Sequence, residues 1–360
     1  MKKVLYIGWI GFKNLGDELM FDLFREHFET LGEKYQLESA NIEDRYLRNV
    51  LIQDFDLIVL GGGSILSGSG YPIHPYIINY LYRCHLLNKK VMIWGSGIDW
   101  APKSFITLLD ENKEVPLSLT EDEKEKLNIV FRESVFSGVR GPLSEKLLKQ
   151  AGVSHCHVSG DPGFLLSPKQ LSLPKNNADK EKVIGVNWGT SFNNIYGQDE
   201  EKVEQDLAKA LNEFIQQGYR IHLYSVWTSD FPAMKRLYSK LQSPEKVKLD
   251  LKMYSHDELM ELMKEFTFTI NFKLHPNYLS LAANIPFIAL GYRFKVFDFA
   301  RSIDFEEFLI PTDSQKIYEE LLTLEQNVVQ NSKQIKEKMS TYLQIYHEKI
   351  KEPFDHGLYI

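Results

Sequence analysis

KVLYIGWIGFKNLGDELMFDLFREHFETLG, residues 3 to 32, carries the reading that decides the fold. Lys3 to Gly8 is a short β-branched and aromatic run. From Asp17 to Leu31 the apolar residues Leu19, Met20, Leu23, Phe24 and Phe28 recur at helical spacing. The stretch predicts a strand, a glycine-containing loop and a helix that Gly32 stops as a C-cap. The two opening lysines and the apolar run superficially resemble a signal peptide. The run breaks at Gly8 and Gly11 and continues into polar NLGDE, so a buried first strand is expected instead.

The unit repeats outward from there. DLIVLGGG (56–63) leads through a loop to an apolar helix near Tyr76 to Leu87, and KKVMIWGSG (89–97) follows. Residues 101 to 119, with Pro102, Pro116 and mixed charge, break the rhythm and read as an excursion. Thr120 and Glu123 then form a T-x-x-E capping box for a charged helix. SVFSGVRG, the helix PLSEKLLKQ and the strand HCHVSGD complete a first half. Apolar strands without alternation, separated by helices, indicate a parallel sheet covered on both faces.

SPKQLSLPKNNADKEK (167–182) is the best linker candidate, and beyond it the alternation restarts with VIGVNWG. A helix to about Gln217, strand YRIHLYSVW and a helix opened by Ser255 and Glu258 come next. FTFTINF, helix PNYLSLAA, strand PFIALGY and helix KVFDFARSI follow. The expected architecture is α/β, two doubly wound Rossmann-like domains facing a cleft, over residues 1–172 and 181–331. Residues 332–360 form a charged helical tail expected to return to the N-terminal domain.

Composition agrees. A length of 360 residues suits two domains, and 43% hydrophobic with 25% charged residues argues for folded cores. A net charge of -7, with no dense basic run, excludes a nucleic-acid partner. Any anionic ligand must be held by a few placed cations or helix N-termini. Cys84 and Cys156, with no C-x-x-C pairing, suggest neither a disulfide framework nor a zinc site, so a reducing, cytoplasmic setting is expected. No stretch approaches the ~18 apolar residues of a membrane span.

Ligands bind at the carboxyl edge of parallel strands, so glycine-rich segments after apolar strands are the candidate sites. They are the loop with Asn14, Gly16, Asp17 and Glu18; Gly61, Gly62, Gly63 and Ser64; Gly95 to Gly97; and Gly160 to Gly163. Tight βα turns explain any one of these, and four in one half point to an anion site. Neither a Walker pattern nor a G-x-G-x-x-G with a ribose-binding acid is present. The helix opening at Asp17 would offer free amides to an anion. Asp17 and Glu18 are either macrodipole carboxylates or a general base, and Asp161 is either an Asx turn before Pro162 or functional.

In INFKLHPNYLSLAANIPFIALGYRFKVFDF (270–299), Lys273 and His275 share one face of an extended stretch, with Pro276 marking the helix start. A cation and an imidazole at a strand's end form an anion site with a proton donor, which Lys295 after Gly291 strengthens. Arg140 is either a phosphate or carboxylate fork or a surface ion pair. Trp188, Phe192 and Tyr196 with Asn193 and Asn194 form either a sugar-stacking platform or ordinary core.

Together the N-x-G-D-E loop, GGGSIL, V-R-x-x-x-S at Val139 to Ser144, GDPGFLL and the K-L-H segment followed by G-Y-x-x-K resemble the polysaccharide pyruvyl transferase family over about residues 4 to 300. GVNWGTSFNNIYG and SVWTSD resemble segments of one branch of it. The resemblance implies a fold similar to glycosyltransferase type B and transfer of pyruvate from phosphoenolpyruvate to two sugar hydroxyls as a ketal, with no cofactor and no metal.

It also implies roles. His275 would be the general acid, Arg140, Lys273, Lys295 and Gly291 the donor site in the C-terminal cleft, and Asp17, Glu18 or Asp161 the groups that orient or deprotonate the acceptor. Asn14, Gly16, Gly62, Gly63, Ser64, Trp188 and Asn193 would line the acceptor side. The acceptor implied is a lipid-linked glycan precursor at the inner membrane face, with residues 101 to 119 either a lid or a membrane contact. Family members usually carry arginine where Lys273 stands, which leaves donor affinity and donor identity open. A nucleotide-sugar glycosyltransferase and a non-catalytic glycan-binding protein are the alternative readings.

Overall fold

In a computed structural model the apolar runs become parallel strands, described here for residues 1–167 and 181–360. β1 (Lys2–Gly8), β2 (Tyr35–Asn41), β3 (Leu57–Leu60), β4 (Lys90–Ser96), β5 (Phe136–Val139) and β6 (His157–Val158) form one sheet in the order β2-β1-β3-β4-β5-β6. β7 (Val183–Asn187), β8 (Arg220–Tyr224), β9 (Val247–Leu249), β10 (Phe268–Asn271), β11 (Phe287–Gly291) and β12 (Leu309–Pro311) form the second, ordered β12-β11-β10-β7-β8-β9. Each sheet is the doubly wound kind that the run pattern predicts. β2, β9 and β12 lie at sheet edges; β2 is polar and only partly covered, and the other two are three residues long, so none leaves an apolar run to read.

Both faces of the first sheet are covered, which is why its strands do not alternate. Val4, Tyr6, Leu57, Val59, Met92 and Trp94 point into one core, and Leu5, Ile7, Ile58, Leu60, Val91 and Ile93 into another. The first of these cores continues into the second half of the chain.

The helix Ser332–Asp355 crosses back to the first half. There Trp94 donates its indole N–H to the Ile350 carbonyl at 2.8 Å, and Phe354 packs on Phe24 and Trp94 with ring centroids 5.1 and 5.6 Å away.

Two sequence readings need correction. Residues 101 to 119 are irregular only in part: 113 to 119 belong to no helix or strand, but the stretch contains the helix Lys103–Asp110, whose Phe105, Ile106 and Leu109 are buried together with Val115. Its apolar side belongs to the core, and its polar side pairs with the other half through Lys103 to Asp313 at 2.5 Å and through Asp110 to Arg301. Pro276 is not a helix start, because the helix is Leu274–Ala282 with Lys273 as its N-cap. The linker candidate 167–182 falls for the most part outside the described residues. Among the described residues no helix is long and apolar enough to cross a membrane.

Candidate active site

The carboxyl edges of the two sheets meet. The Leu15 amide, after β1, donates to the Val226 carbonyl, after β8, at 3.1 Å. Asp99, after β4, pairs with Arg293 at 2.7 Å and Lys295 at 3.2 Å, both after β11. Asp298, in the helix Phe294–Ser302, accepts from the Leu143 amide at 2.7 Å, the Ser144 amide at 3.3 Å and the Ser144 hydroxyl at 2.6 Å. It thereby caps the helix Pro142–Gln150 from the opposite half, since Gly141 offers no side chain to do so. The serine of the V-R-x-x-x-S segment is thus a joint between the halves.

Arg140 is the hub. Its side chain is fully buried, donates Nε to Asp161 Oδ2 at 2.9 Å and Nη1 to Ser64 Oγ at 3.2 Å, and leaves Nη2 buried without a partner. Asp161 also accepts the Gly163 amide at 2.8 Å, so it makes the Asx turn that its place before Pro162 suggests while it binds Arg140. Burying this pair is tolerable because the two charges and these extra hydrogen bonds offset their lost hydration.

His275 lies in the first turn of its helix, packed against Gly16: a Cβ at position 16 would fall 1.9 Å from His275 Nδ1. Its Nε2 is buried without a partner. Burial, then Arg140 and Lys295, hold the imidazole well below its ordinary pKa, so it is neutral at neutral pH. Asp17 lies beside Gly63, whose φ of 100° only glycine adopts readily. Desolvation pushes its carboxyl up to about 7, against the pull of Lys295 and Arg140.

Other predicted residues have different duties. The helix Leu15–Glu29 opens at Leu15 and not at Asp17, with Asn14 as N-cap accepting the Gly16 amide at 3.1 Å. Glu18 closes the preceding loop by accepting the amides of Gly11 at 2.7 Å and Lys13 at 3.1 Å, so it is not aimed at an acceptor. Gly62 fits under Pro162, and Gly291 under Leu309 and Phe297, so both serve packing.

Lys273 leaves the donor group: its ammonium bonds the Thr190 carbonyl and pairs with Asp230 at 3.2 Å. In a helical first turn residues two apart diverge, so Lys273 and His275 do not share a face. Trp188 is fully buried and donates to Glu204 at 2.9 Å, so it is no sugar platform. Asn193 holds its own loop, accepting the Glu200 amide at 3.0 Å and donating to the Gln198 carbonyl at 2.6 Å. Tyr196 donates to the Ala101 carbonyl at 2.8 Å.

Sequence reasoning missed Asp99, Arg293 and Asp298. Arg293 stands in the quoted G-Y-R-F-K segment, so a second cation beside Lys295 was there to be noticed; the buried acids that pair across the halves leave no local pattern.

The arrangement brings together two buried polar atoms without partners, Arg140 Nη2 and His275 Nε2, with Arg140 and Lys295 near enough to act on the imidazole. Among the described residues no group of His, Cys, Asp and Glu could hold a metal ion.

The profile of the family described as polysaccharide pyruvyl transferase matches residues 14–293. Among curated proteins no match is found. Solved structures share the fold. S. aureus MnaA, in its UDP co-structure, superposes with a TM-score of 0.62 at 11% identity, covering 100% of this chain and 96% of that one. The Methanocaldococcus jannaschii UDP-GlcNAc 2-epimerase, in complex with UDP-GlcNAc and UDP, gives 0.53 at 12%, covering 91% and 93%. Os79 from O. sativa, in complex with U2F and trichothecene, gives 0.57 at 9%, covering 98% and 99%. The two halves thus have the type B glycosyltransferase arrangement.

Proposed function

Because the chain belongs to the polysaccharide pyruvyl transferase family, we propose that it transfers pyruvate from phosphoenolpyruvate to two hydroxyls of a sugar in a cell-surface polysaccharide precursor, as a ketal. The observation that carries this reading is the pair of buried, unpartnered atoms, Arg140 Nη2 and His275 Nε2, with the Lys295 cation close enough to act on the imidazole.

Arg140 and Lys295 bind the donor's phosphate and carboxylate. Their charge is then neutralised, and the phosphate beside the imidazole raises the proton affinity of His275. Protonated with the donor bound, His275 gives its proton to the enol methylene, which becomes the methyl group, and an oxocarbenium forms at the neighbouring carbon. One sugar hydroxyl adds there and passes its proton to ionised Asp17. The C–O bond to phosphate then breaks, the phosphate leaves against Arg140 and Lys295, and the second hydroxyl closes the ketal. Its proton goes to the departing phosphate, and the proton on Asp17 returns through solvent to His275. The acceptor is a lipid-linked glycan at the inner face of the membrane.

Calorimetric titration with phosphoenolpyruvate tests the donor. Saturable binding is expected, weakened at least tenfold in Lys295→Ala, while His275→Asn binds the donor and loses transfer. Absence of binding at millimolar donor, with binding of a nucleotide sugar instead, would replace this reading with a glycosyltransferase.

A further inference from the structure

Arg293 and Lys295 follow β11, and among the described residues Asp99 is the one acid that pairs with either. Both cations reach the same oxygen: Arg293 Nη2 lies 2.7 Å and Lys295 Nζ 3.2 Å from Asp99 Oδ2. Asp99 Oδ1 and Arg293 Nε are buried without partners. A carboxylate matched to this arginine would meet its planar fork with two oxygens. Here one negative charge answers two positive ones, and an acceptor and a donor are left over.

The cations are otherwise well placed for an anion. The Arg293 guanidinium carbon lies 4.5 Å from the Trp100 ring and 5.1 Å from the Tyr292 ring, which restrict its plane. Each cationic side chain is 15% exposed while Asp99 is 2% exposed, so a dissolved anion reaches the cations. Tyr292 registers the surplus charge: burial raises the pKa of its phenol, yet Lys295, Arg293 and Lys273 bring it below its ordinary value. Lys295 also acts on His275 and Asp17, so the surplus adjoins both groups.

We infer that Arg293 joins Lys295 in binding the donor's phosphate, and that the Asp99 carboxylate is an internal competitor which this phosphate displaces. The inference rests on the reading of Lys295 as a donor ligand. A phosphate monoester dianion matches two cations in charge and offers three oxygens, enough for Nε and Nη2 of Arg293 and Nζ of Lys295 together. Asp99 stands in residues 97–102, which belong to no helix or strand, so its carboxylate withdraws without breaking an element. Asp99 ties the halves together before the donor arrives. The donor, held by Arg140 on one side and by Arg293 and Lys295 on the other, ties them afterwards. A site so built binds its donor less tightly than its cations allow, and the returning carboxylate helps to expel the phosphate product.

The test measures binding of inorganic phosphate and of phosphoenolpyruvate to the full chain by calorimetry, in the wild type, Asp99→Asn and Arg293→Gln. Both anions should bind about tenfold more tightly to Asp99→Asn and about tenfold more weakly to Arg293→Gln, the worth of one hydrogen bond to a charged group. Because Asp99→Asn also weakens the fold, its melting temperature is followed against phosphate concentration. A ligand raises that temperature in step with its affinity, so the rise should be larger in Asp99→Asn than in the wild type. A carboxylate with a structural role alone would lower the melting temperature and leave phosphate affinity where it was. Phosphate binding that is unchanged or weaker in Asp99→Asn, or unchanged in Arg293→Gln, overturns the inference. If phosphate follows both substitutions while phosphoenolpyruvate does not bind, the pyruvyl reading fails and the anion exchange stands; if phosphoenolpyruvate binds all three chains equally, the exchange fails alone.

Discussion

Gly16 and His275 belong to opposite halves of the chain and touch so closely that no side chain fits between them, a Cβ at 16 falling 1.9 Å from His275 Nδ1. The glycine of the N-x-G-D-E loop is therefore the surface on which the imidazole rests. Alanine is otherwise welcome at this helical position. Gly16→Ala should keep secondary structure by circular dichroism yet lower transfer at least a hundredfold, by displacing the ring or holding the halves apart. Unchanged turnover would show that His275 needs no fixed position.

Asp17 predicts a pH dependence of stability. Its carboxyl is pushed from 3.8 to about 7 by burial, so the folded state holds its proton more tightly than the unfolded chain does. Stability from this group is present below the ordinary carboxylate range and is lost as pH rises toward about 7. Asp17→Asn should therefore raise the melting temperature at pH 8 and flatten its pH dependence between about pH 4 and 7. A variant with the wild-type slope would assign the pH dependence elsewhere.

Asp99 holds Arg293 and Lys295 from the other half, and those cations outweigh its burial and keep its carboxyl below the usual range. Asp99→Asn leaves two cations facing each other, and breaking a buried pair costs about 3 kcal/mol or more. The expected result is a lowered melting temperature that millimolar inorganic phosphate partly restores, since an anion can take the place of the carboxylate.

Asp298→Ala removes the cap of the helix Pro142–Gln150 and strands two amides and a hydroxyl. A loss of about 2–3 kcal/mol is expected by denaturant titration, from the lost cap and the unpaired buried donors. Asp298→Asn, which keeps one oxygen acceptor, should recover part of it.

Much of this was readable in the chain. Apolar runs ending in glycine gave the interior strands and their loops, because burial on both faces and close backbone approach each constrain composition locally. Arg140, His275 and Lys295 follow strands in a recognisable order. The direction in which a side chain points was not readable. Lys273 and His275 diverge because the helix begins at Leu274, two residues earlier than its proline suggests. Trp188 faces inward and Trp227 partly outward, although both follow strands. Asp99 and Asp298 act across the halves, on partners roughly 150 to 200 positions distant.

The contact of Trp94 with Ile350 spans 256 positions. At a translation rate of about 5–20 residues per second, its second partner is made about 13 to 50 s after the first. Throughout that interval the nascent first half presents Trp94 and Phe24 without the helix that seals them. A helix made late closes a layer made early, so ribosome-bound chains should engage chaperones until the helix Ser332–Asp355 has emerged, and chains stopped before it should aggregate.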